Sequence, residues 1–236
     1  ATITRIPAGA LLPQRNLPTA GVRPYSAAVD SSGRVFVTNR SSDTVARINP
    51  EAFAVPRLIP VGAEPWGITI TPDDTVYVTN ISGDTIARID AGSNIVNSTI
   101  PLLPGADPKD ITYSTSERRL YVANSGNSTV GRVNPLNGAV QYIPLPVGAD
   151  PRGVAVAVDG SVYVADIGLD CVHWIRKGES SVAITTPFPV GTFPSDAAAD
   201  PGRIHPVLGR QHDRHREHHG NGHCDQRYPA QRIGRH

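Results

Sequence analysis

Groups that could bind a metal ion are concentrated near the C-terminal end of the chain. Seven of the eight histidines lie in the last 32 of the 236 residues. Imidazole and thiolate groups bind zinc and nickel, and those available are His212, His215, His218, His219, His223 and Cys224. Their spacing matches no zinc finger or ribbon, so we predict only adventitious metal binding and no cofactor. A genuine His-rich metal-binding tail stays open as an alternative.

A shifted reading frame also explains this segment. Read one nucleotide later through degenerate codons, residues 203–217 allow the series V-Y-I-x-x-x-G-G-N-T-I-A-T-V-N. That series matches the stretch VYVTNISGDTIARID at residues 76–90. A nucleic-acid-binding tail is a third explanation, but the segment offers only one aromatic side chain, Tyr228, for stacking on bases. We therefore expect residues 201–236 to lie outside the fold and to bind no specific nucleic acid.

A repeat of about 43 residues organises the rest of the chain. The motif Gly-x-x-Pro recurs as GVRP, GAEP, GADP, GADP and GTFP, with its prolines at positions 24, 65, 108, 151 and 194. After each of the first four prolines come a short apolar run, a turn, an alternating strand such as TVYVTN, a polar turn and a second strand such as TIARID. Alternation of apolar and polar residues indicates half-buried strands. Four strands per repeat are typical of a β-propeller blade.

The sequence therefore predicts an all-β propeller with four recognisable four-stranded blades and an aberrant fifth unit. The predicted blades span 24–64, 65–107, 108–150 and 151–193, within a propeller segment at 24–200. Residues 1–23 are predicted to be the end of a preceding blade or a lead-in strand. Because propellers usually close with 4–8 blades, we expect a fragment of a larger propeller. Unpaired blade edges would then favour self-association.

The repeat also predicts which side chains form the core. One aromatic position recurs in every blade, and a long polar or aromatic side chain follows it eleven residues later: Phe36, Tyr77, Tyr121 and Tyr163, then Arg47, Arg88, Arg132 and Trp174. We expect the aromatic rings to pack between blades beneath the longer side chains. Valines beside these rings are predicted to be buried: Val35, Val37, Val76, Val78, Val122, Val162 and Val164. Polar residues that end the second strands are predicted to bond their own turns: Asn39, Asn80, Asn124 and Asp166.

These strands carry a family resemblance. VFVTN, VYVTN and YVAN, followed by DTVARIN or a related run, resemble the YVTN-type β-propeller repeats of secreted and surface prokaryotic proteins. NHL repeats and the repeats of streptogramin B lyases are similar. The resemblance covers residue 24 to about residue 200. It implies a propeller at the cell surface or secreted from the cell, and it fixes no function, because propellers serve many functions.

Residues that follow the repeated prolines are the candidate ligand site. Propeller ligands usually lie at the mouth of the central channel, where the inner strands begin. Side chains at these positions differ between blades, unlike the aromatic ring. We predict ligand binding by Tyr25, Trp66, Lys109, Asp110, Arg152, Ser195 and Asp196, with Ser26, Gly67 and Gly153 beside them. The sequence leaves open whether the ligand is a protein, a glycan or a small molecule. The alternative interpretation is that these residues vary freely as loop positions and bind nothing.

An enzymatic alternative comes from the lyase resemblance. It implies a lactone-ring-opening elimination that uses Mg²⁺, a catalytic His directly after one repeated proline, and acidic and further His partners. None of the five corresponding residues here is His, and His173, which is expected to be packed in a third strand, is the only histidine before residue 205. A lyase would need blades that this chain lacks. We therefore predict no catalytic residues and a non-catalytic binding scaffold. No apolar run approaches the length of a membrane-spanning helix.

Overall fold

The structure, a computed structural model, describes residues 2–5, 15–49, 56–90, 92–179, 188–189, 194–199 and 206–208. All regular secondary structure in these residues is β-strand, and none of it could form a membrane-crossing helix. The strands are β1 (Thr2–Arg5), β2 (Arg15–Pro18), β3 (Pro24–Val29), β4 (Val35–Asn39), β5 (Thr44–Ile48), β6 (Arg57–Pro60), β7 (Pro65–Ile70), β8 (Thr75–Asn80), β9 (Thr85–Asp90), β10 (Ile95–Pro101), β11 (Pro108–Ser114), β12 (Arg119–Asn124), β13 (Thr129–Val133), β14 (Val140–Pro144), β15 (Pro151–Val156), β16 (Val162–Asp166), β17 (Cys171–Ile175), β18 (Phe188–Pro189), β19 (Ala197–Ala199) and β20 (Pro206–Leu208).

Four antiparallel sheets of four consecutive strands form the four blades. They contain β3 to β6, β7 to β10, β11 to β14, and β15 to β18. The first strands contact one another in the order β3, β7, β11, β15 and β19, so they form the inner wall of the propeller. Each first strand begins at a repeated proline: Pro24, Pro65, Pro108 and Pro151. The prediction of an all-β propeller is confirmed.

The second strand of each blade lies in the core, and in the second and third blades apolar clusters shared with neighbouring blades cover both of its faces. Every residue of β8 is buried. Six of the seven valines predicted to be buried are at most 1% exposed. Val35 is only half-buried, and the apolar cluster that it joins contains residues of the first blade alone. The aromatic position lies directly across from the long side chain in each blade: Phe36 opposite Arg47, Tyr77 opposite Arg88, Tyr121 opposite Arg132 and Tyr163 opposite Trp174. Phe36, Tyr77 and Tyr121 pack between blades as predicted, whereas the described apolar cluster around Tyr163 contains residues of the fourth blade alone.

Regular structure extends at both ends beyond the four blades. β1 pairs antiparallel with β2 in the segment that was predicted to precede the first blade. β19 pairs antiparallel with β20, so Pro206–Leu208 forms a strand within residues 201–236, which were expected to lie outside the fold. The β-branched Val207 favours an extended strand. The candidate metal ligands from His212 to Cys224 lie outside the described residues.

Candidate ligand site at the channel mouth

Threonines on the second strands fix the backbone of the predicted site. Thr38 Oγ1 accepts a hydrogen bond from Ser26 N at 3.0 Å and donates one to Trp66 O, in the next blade, at 2.9 Å. Thr79 Oγ1 accepts from Gly67 N at 2.8 Å and donates to Lys109 O at 2.5 Å. Each hydroxyl therefore joins two adjacent inner strands just after their prolines. This arrangement sets the spacing of Trp66 and Lys109.

An aromatic pair with two cations is the most prominent feature of the mouth. The rings of Tyr25 and Trp66 are tilted by 46° with centroids 4.0 Å apart. The guanidinium of Arg40 lies 4.6 Å from the Trp66 ring centroid, and the ammonium of Lys109 lies 4.9 Å from it. Cations at such distances are attracted to the electron-rich ring. Tyr25 is 54% exposed, so the pair presents an accessible aromatic surface.

Three cations at the mouth each have a carboxylate partner that precedes a repeated proline. Lys109 Nζ lies 3.0 Å from Asp107 Oδ2. Arg152 binds Asp150 with two hydrogen bonds, of 2.9 and 2.8 Å. The Arg40 guanidinium lies 3.1 Å from Glu64. The charges within these three pairs balance, so the paired groups favour a neutral polar ligand surface over a strongly charged one.

Asp110 joins two blades and is held in an unusual electrostatic environment. Its Oδ2 accepts a hydrogen bond from Val154 N of the next inner strand at 2.9 Å. Burial raises the pKa of Asp110 to about 7, and the nearby charge of Asp196 acts in the same direction, while the hydrogen bonds from Val154 N and Ile111 N oppose them. Asp110 therefore titrates near neutral pH. Partial burial of the hydroxyl end of Tyr25 also raises the pKa of that group above its usual range.

The structure brings most of the predicted site residues to one end of the inner wall. Ser195 and Asp196 are exposed there, and Asp196 accepts a hydrogen bond from Ala197 N. Two neighbouring glycines have a packing role instead. A Cβ atom at Gly67 would lie 2.6 Å from Lys109 O, and one at Gly153 would lie 2.7 Å from the Cα of Asp196. These positions therefore hold glycine so that adjacent inner strands can approach closely.

Arg40 and Glu64 are site residues that the repeat analysis missed. Arg40 directly follows Asn39, at a position that is Ile81 in the second blade and Ile167 in the fourth. A cation where the second and fourth blades carry isoleucine and the third carries Ser125 is a signal that could have revealed it. Glu64 also accepts a hydrogen bond from the Ser82 hydroxyl at 2.6 Å. Together with Arg40, this bond lowers the pKa of Glu64 below its usual range.

A separate cavity lies between the second and third blades, at the opposite ends of their inner strands. Its volume is about 480 Å³, and its walls include Asp73, Tyr77, Arg88, Tyr113, Arg118 and Arg119. In the third blade, Glu117 lies 3.0 Å from Arg132 and neutralises it. The corresponding residue of the second blade is Asp73, whose carboxylate accepts from Thr71 and Thr75 instead. The walls of this cavity therefore combine the Asp73 carboxylate with arginine and tyrosine side chains.

The sequence model of the Virginiamycin B lyase family matches residues 1–185, which include all four inner strands of the blades. The chain belongs to the virginiamycin B lyase family. Its membership agrees with the resemblance to streptogramin B lyase repeats. The mouth nevertheless differs from the pattern that this resemblance implied, because no residue directly after a repeated proline is histidine. His173 is 1% exposed and packs within the fourth blade, as expected.

Solved structures share the propeller fold with this family member. A catalytically inactive virginiamycin B lyase from Staphylococcus aureus, solved with quinupristin, has a TM-score of 0.71 and 20% identity, covering 84% of this chain and 67% of that one. A candidate 6-phosphogluconolactonase from Bacteroides uniformis has a TM-score of 0.73 and 16% identity, covering 88% and 69%. Hydrazine synthase from Kuenenia stuttgartiensis has a TM-score of 0.65 and 20% identity, covering 80% and 54%. No curated protein sequence matches the chain significantly.

Proposed function

We propose that the chain binds a cyclic peptide lactone of the streptogramin B type at the channel mouth without opening its ring. The aromatic pair of Tyr25 and Trp66, with centroids 4.0 Å apart, is the observation that carries this proposal. Ligand pockets combine apolar and aromatic surface with a few placed polar groups. Tyr25 and Trp66 would supply the surface, and the ion pairs around them would supply hydrogen-bond donors and acceptors.

Charge balance and family membership both support this ligand class. Arg40, Lys109 and Arg152 are each paired with a carboxylate, so a charged ligand would have to displace an existing partner. The peptide lactone ring itself is uncharged and needs no such exchange. The related lyase structure was solved with quinupristin, which makes quinupristin the natural probe for this chain.

Calorimetric titration with quinupristin tests binding at the mouth. Tyr25→Ala removes an exposed ring and should weaken binding roughly two- to twelvefold, because an aromatic contact contributes about 0.5–1.5 kcal/mol beyond its buried area. Trp174→Phe is the matched control, since Trp174 stacks on Tyr163 in the fourth blade. It should bind like the unchanged protein. Absence of binding, or equal affinity in Tyr25→Ala, would refute the proposal.

Ring opening by elimination is the second candidate function, and the family match over residues 1–185 favours it. Incubation of the protein with quinupristin and Mg²⁺, followed by chromatography, separates the two functions. Elimination yields a linear isomer of unchanged mass, whereas hydrolysis adds one water molecule. Recovery of the intact lactone in the presence of saturable binding supports a binding protein. A linear isomer that forms in proportion to protein concentration supports a lyase.

A further inference from the structure

Three positions of the fourth blade carry residues of a different chemical kind from those in the other blades. The positions hold Asn, Thr and Ala in the first two blades and Asn, Thr and Gly in the third: Asn39, Thr44 and Ala46; Asn80, Thr85 and Ala87; Asn124, Thr129 and Gly131. In these blades the Asn amide donates to the Thr hydroxyl at 3.1–3.3 Å. The fourth blade has Asp166, Cys171 and His173 instead. All three changes introduce side chains that bind metal ions.

Sheet register brings these three side chains together. Asp166, at the end of β16, is the direct cross-strand partner of Cys171, at the start of β17. His173 lies two residues further along β17, so its side chain is on the same face as that of Cys171. His173 Nε2 lies 2.7 Å from Asp166 Oδ2 and 3.7 Å from Cys171 Sγ. The three potential ligand atoms all lie within 4.8 Å of one another, and all three residues are buried.

The arrangement differs from that of a nucleophilic triad. In a triad, the histidine uses one ring nitrogen toward the acid and the other toward the nucleophile. Here a single nitrogen, Nε2 of His173, faces both Asp166 and Cys171, while Nδ1 has no hydrogen-bond partner within the described part of the chain. A proton relay from the thiol through the ring to the carboxylate is therefore not formed. Three donor atoms that converge on one point are instead the geometry of a metal site.

We propose that Asp166, Cys171 and His173 form a buried site for a divalent transition-metal ion of the zinc type. Zinc binds thiolate, imidazole and carboxylate at about 2.0–2.3 Å. A carboxylate and a thiolate supply two negative charges, which balance those of the ion, so the loaded site carries no net formal charge. That balance matters because an uncompensated charge in a protein interior is costly. This set is distinct from the histidines beyond residue 204.

Local structure already orients the carboxylate. Asp166 Oδ1 accepts hydrogen bonds from Asp150 N at 2.9 Å, Gly168 N at 2.8 Å and Leu169 N at 3.2 Å, which leaves Oδ2 directed at His173. Such outer partners hold metal ligands in position. Metal binding would replace the hydrogen bond between Oδ2 and Nε2. The two atoms would separate from 2.7 Å to about 3.3 Å, as zinc–ligand lengths and tetrahedral angles require.

Cobalt spectroscopy of the full chain tests the site. The chain has two cysteines, so in a Cys224→Ser variant only Cys171 can supply a thiolate. Cobalt(II) should be added under reducing conditions both to the folded protein and during refolding, because the ligands are buried. We expect a thiolate-to-cobalt charge-transfer band with one thiolate per bound ion. This band should disappear when Cys171→Ser is added to the variant.

A blade-restoring variant separates metal binding from folding. Asp166→Asn, Cys171→Thr and His173→Ala together, in the Cys224→Ser background, recreate the residues found in the second blade and keep every C-terminal histidine. We expect it to fold, to lack the band and to show no zinc-dependent rise in Tm beyond that contributed by the tail. The Cys224→Ser parent should show a larger rise. No charge-transfer band in the folded or refolded parent, or equal zinc-dependent shifts in both proteins, would overturn the proposal.

Discussion

Asp110 makes the stability of the protein depend on pH, and Asp110→Asn should remove that dependence. Burial raises the pKa of Asp110 from its ordinary value of 3.8 to about 7. Between these values the unfolded chain has released its proton while the folded chain retains it. The free energy of unfolding therefore falls as pH rises, by about 1.4 kcal/mol per pH unit. The contribution of protonated Asp110 to the free energy of unfolding is fully present below the pKa of the unfolded state and is lost as the pH rises toward 7.

The interval from 3.8 to about 7 spans about three pH units, which corresponds to roughly 4 kcal/mol as an upper value. Between about pH 5 and 7 the expected loss is therefore about 2–3 kcal/mol. Asparagine at position 110 keeps an oxygen that can accept the hydrogen bond from Val154 N. It carries no charge, so the variant should show no corresponding loss.

Urea unfolding of both proteins at about pH 5, 6, 7 and 8 measures this difference, since all other titrating groups cancel between them. Asp90→Asn is the control. Hydrogen bonds from Ser93 hold the pKa of Asp90 below its usual range, so its contribution is lost only at more acidic pH. The difference in free energy of unfolding between Asp90→Asn and the unchanged protein should therefore stay constant from about pH 5 to 8. Parallel stability curves for Asp110→Asn and the unchanged protein would refute the reasoning.

Three further substitutions test how the inner wall is held. Thr79→Val removes the hydroxyl between Gly67 N and Lys109 O and should cost about 1–3 kcal/mol in urea unfolding, against less than about 0.5 kcal/mol for the exposed Ser98→Ala. Gly67→Ala places a Cβ atom 2.6 Å from Lys109 O and should lower the free energy of unfolding by about 1–3 kcal/mol; an unchanged urea midpoint would contradict the close approach. Val78→Asp buries an unpaired charge and should cost several kcal/mol, so a melting curve like that of the unchanged protein would contradict its burial.

Sequence periodicity was sufficient to predict the blades because each blade buries apolar side chains at the same positions of the repeat. Phe36, Tyr77 and Tyr121 recur at one spacing since each must fill the space between sheets, and the structure buries all three. The repeated prolines also predicted where the inner strands of the four blades begin, because each blade repeats the same strand order. Secretion and self-association through blade edges stay predictions.

The candidate site was less accessible to sequence analysis because it depends on contacts between blades. The post-proline residues could be placed at one end of the wall, but the roles of Asp110 and Gly67 could not. Asp110 bonds Val154 of the next blade, and Gly67 contacts the backbone of Lys109. Such contacts join residues some 42–44 positions apart, and no local pattern reports them. The buried cluster around His173 emerged only once strand register placed Asp166 beside it.

Fluorine NMR of protein labelled with 5-fluorotryptophan tests ligand binding at the mouth most directly. The chain has two tryptophans, so Trp66→Phe and Trp174→Phe assign both resonances. On titration with quinupristin, the resonance of Trp66 should move saturably while that of Trp174 stays in place. A shift confined to Trp174, or no shift of either resonance, would contradict a ligand site built on Tyr25 and Trp66.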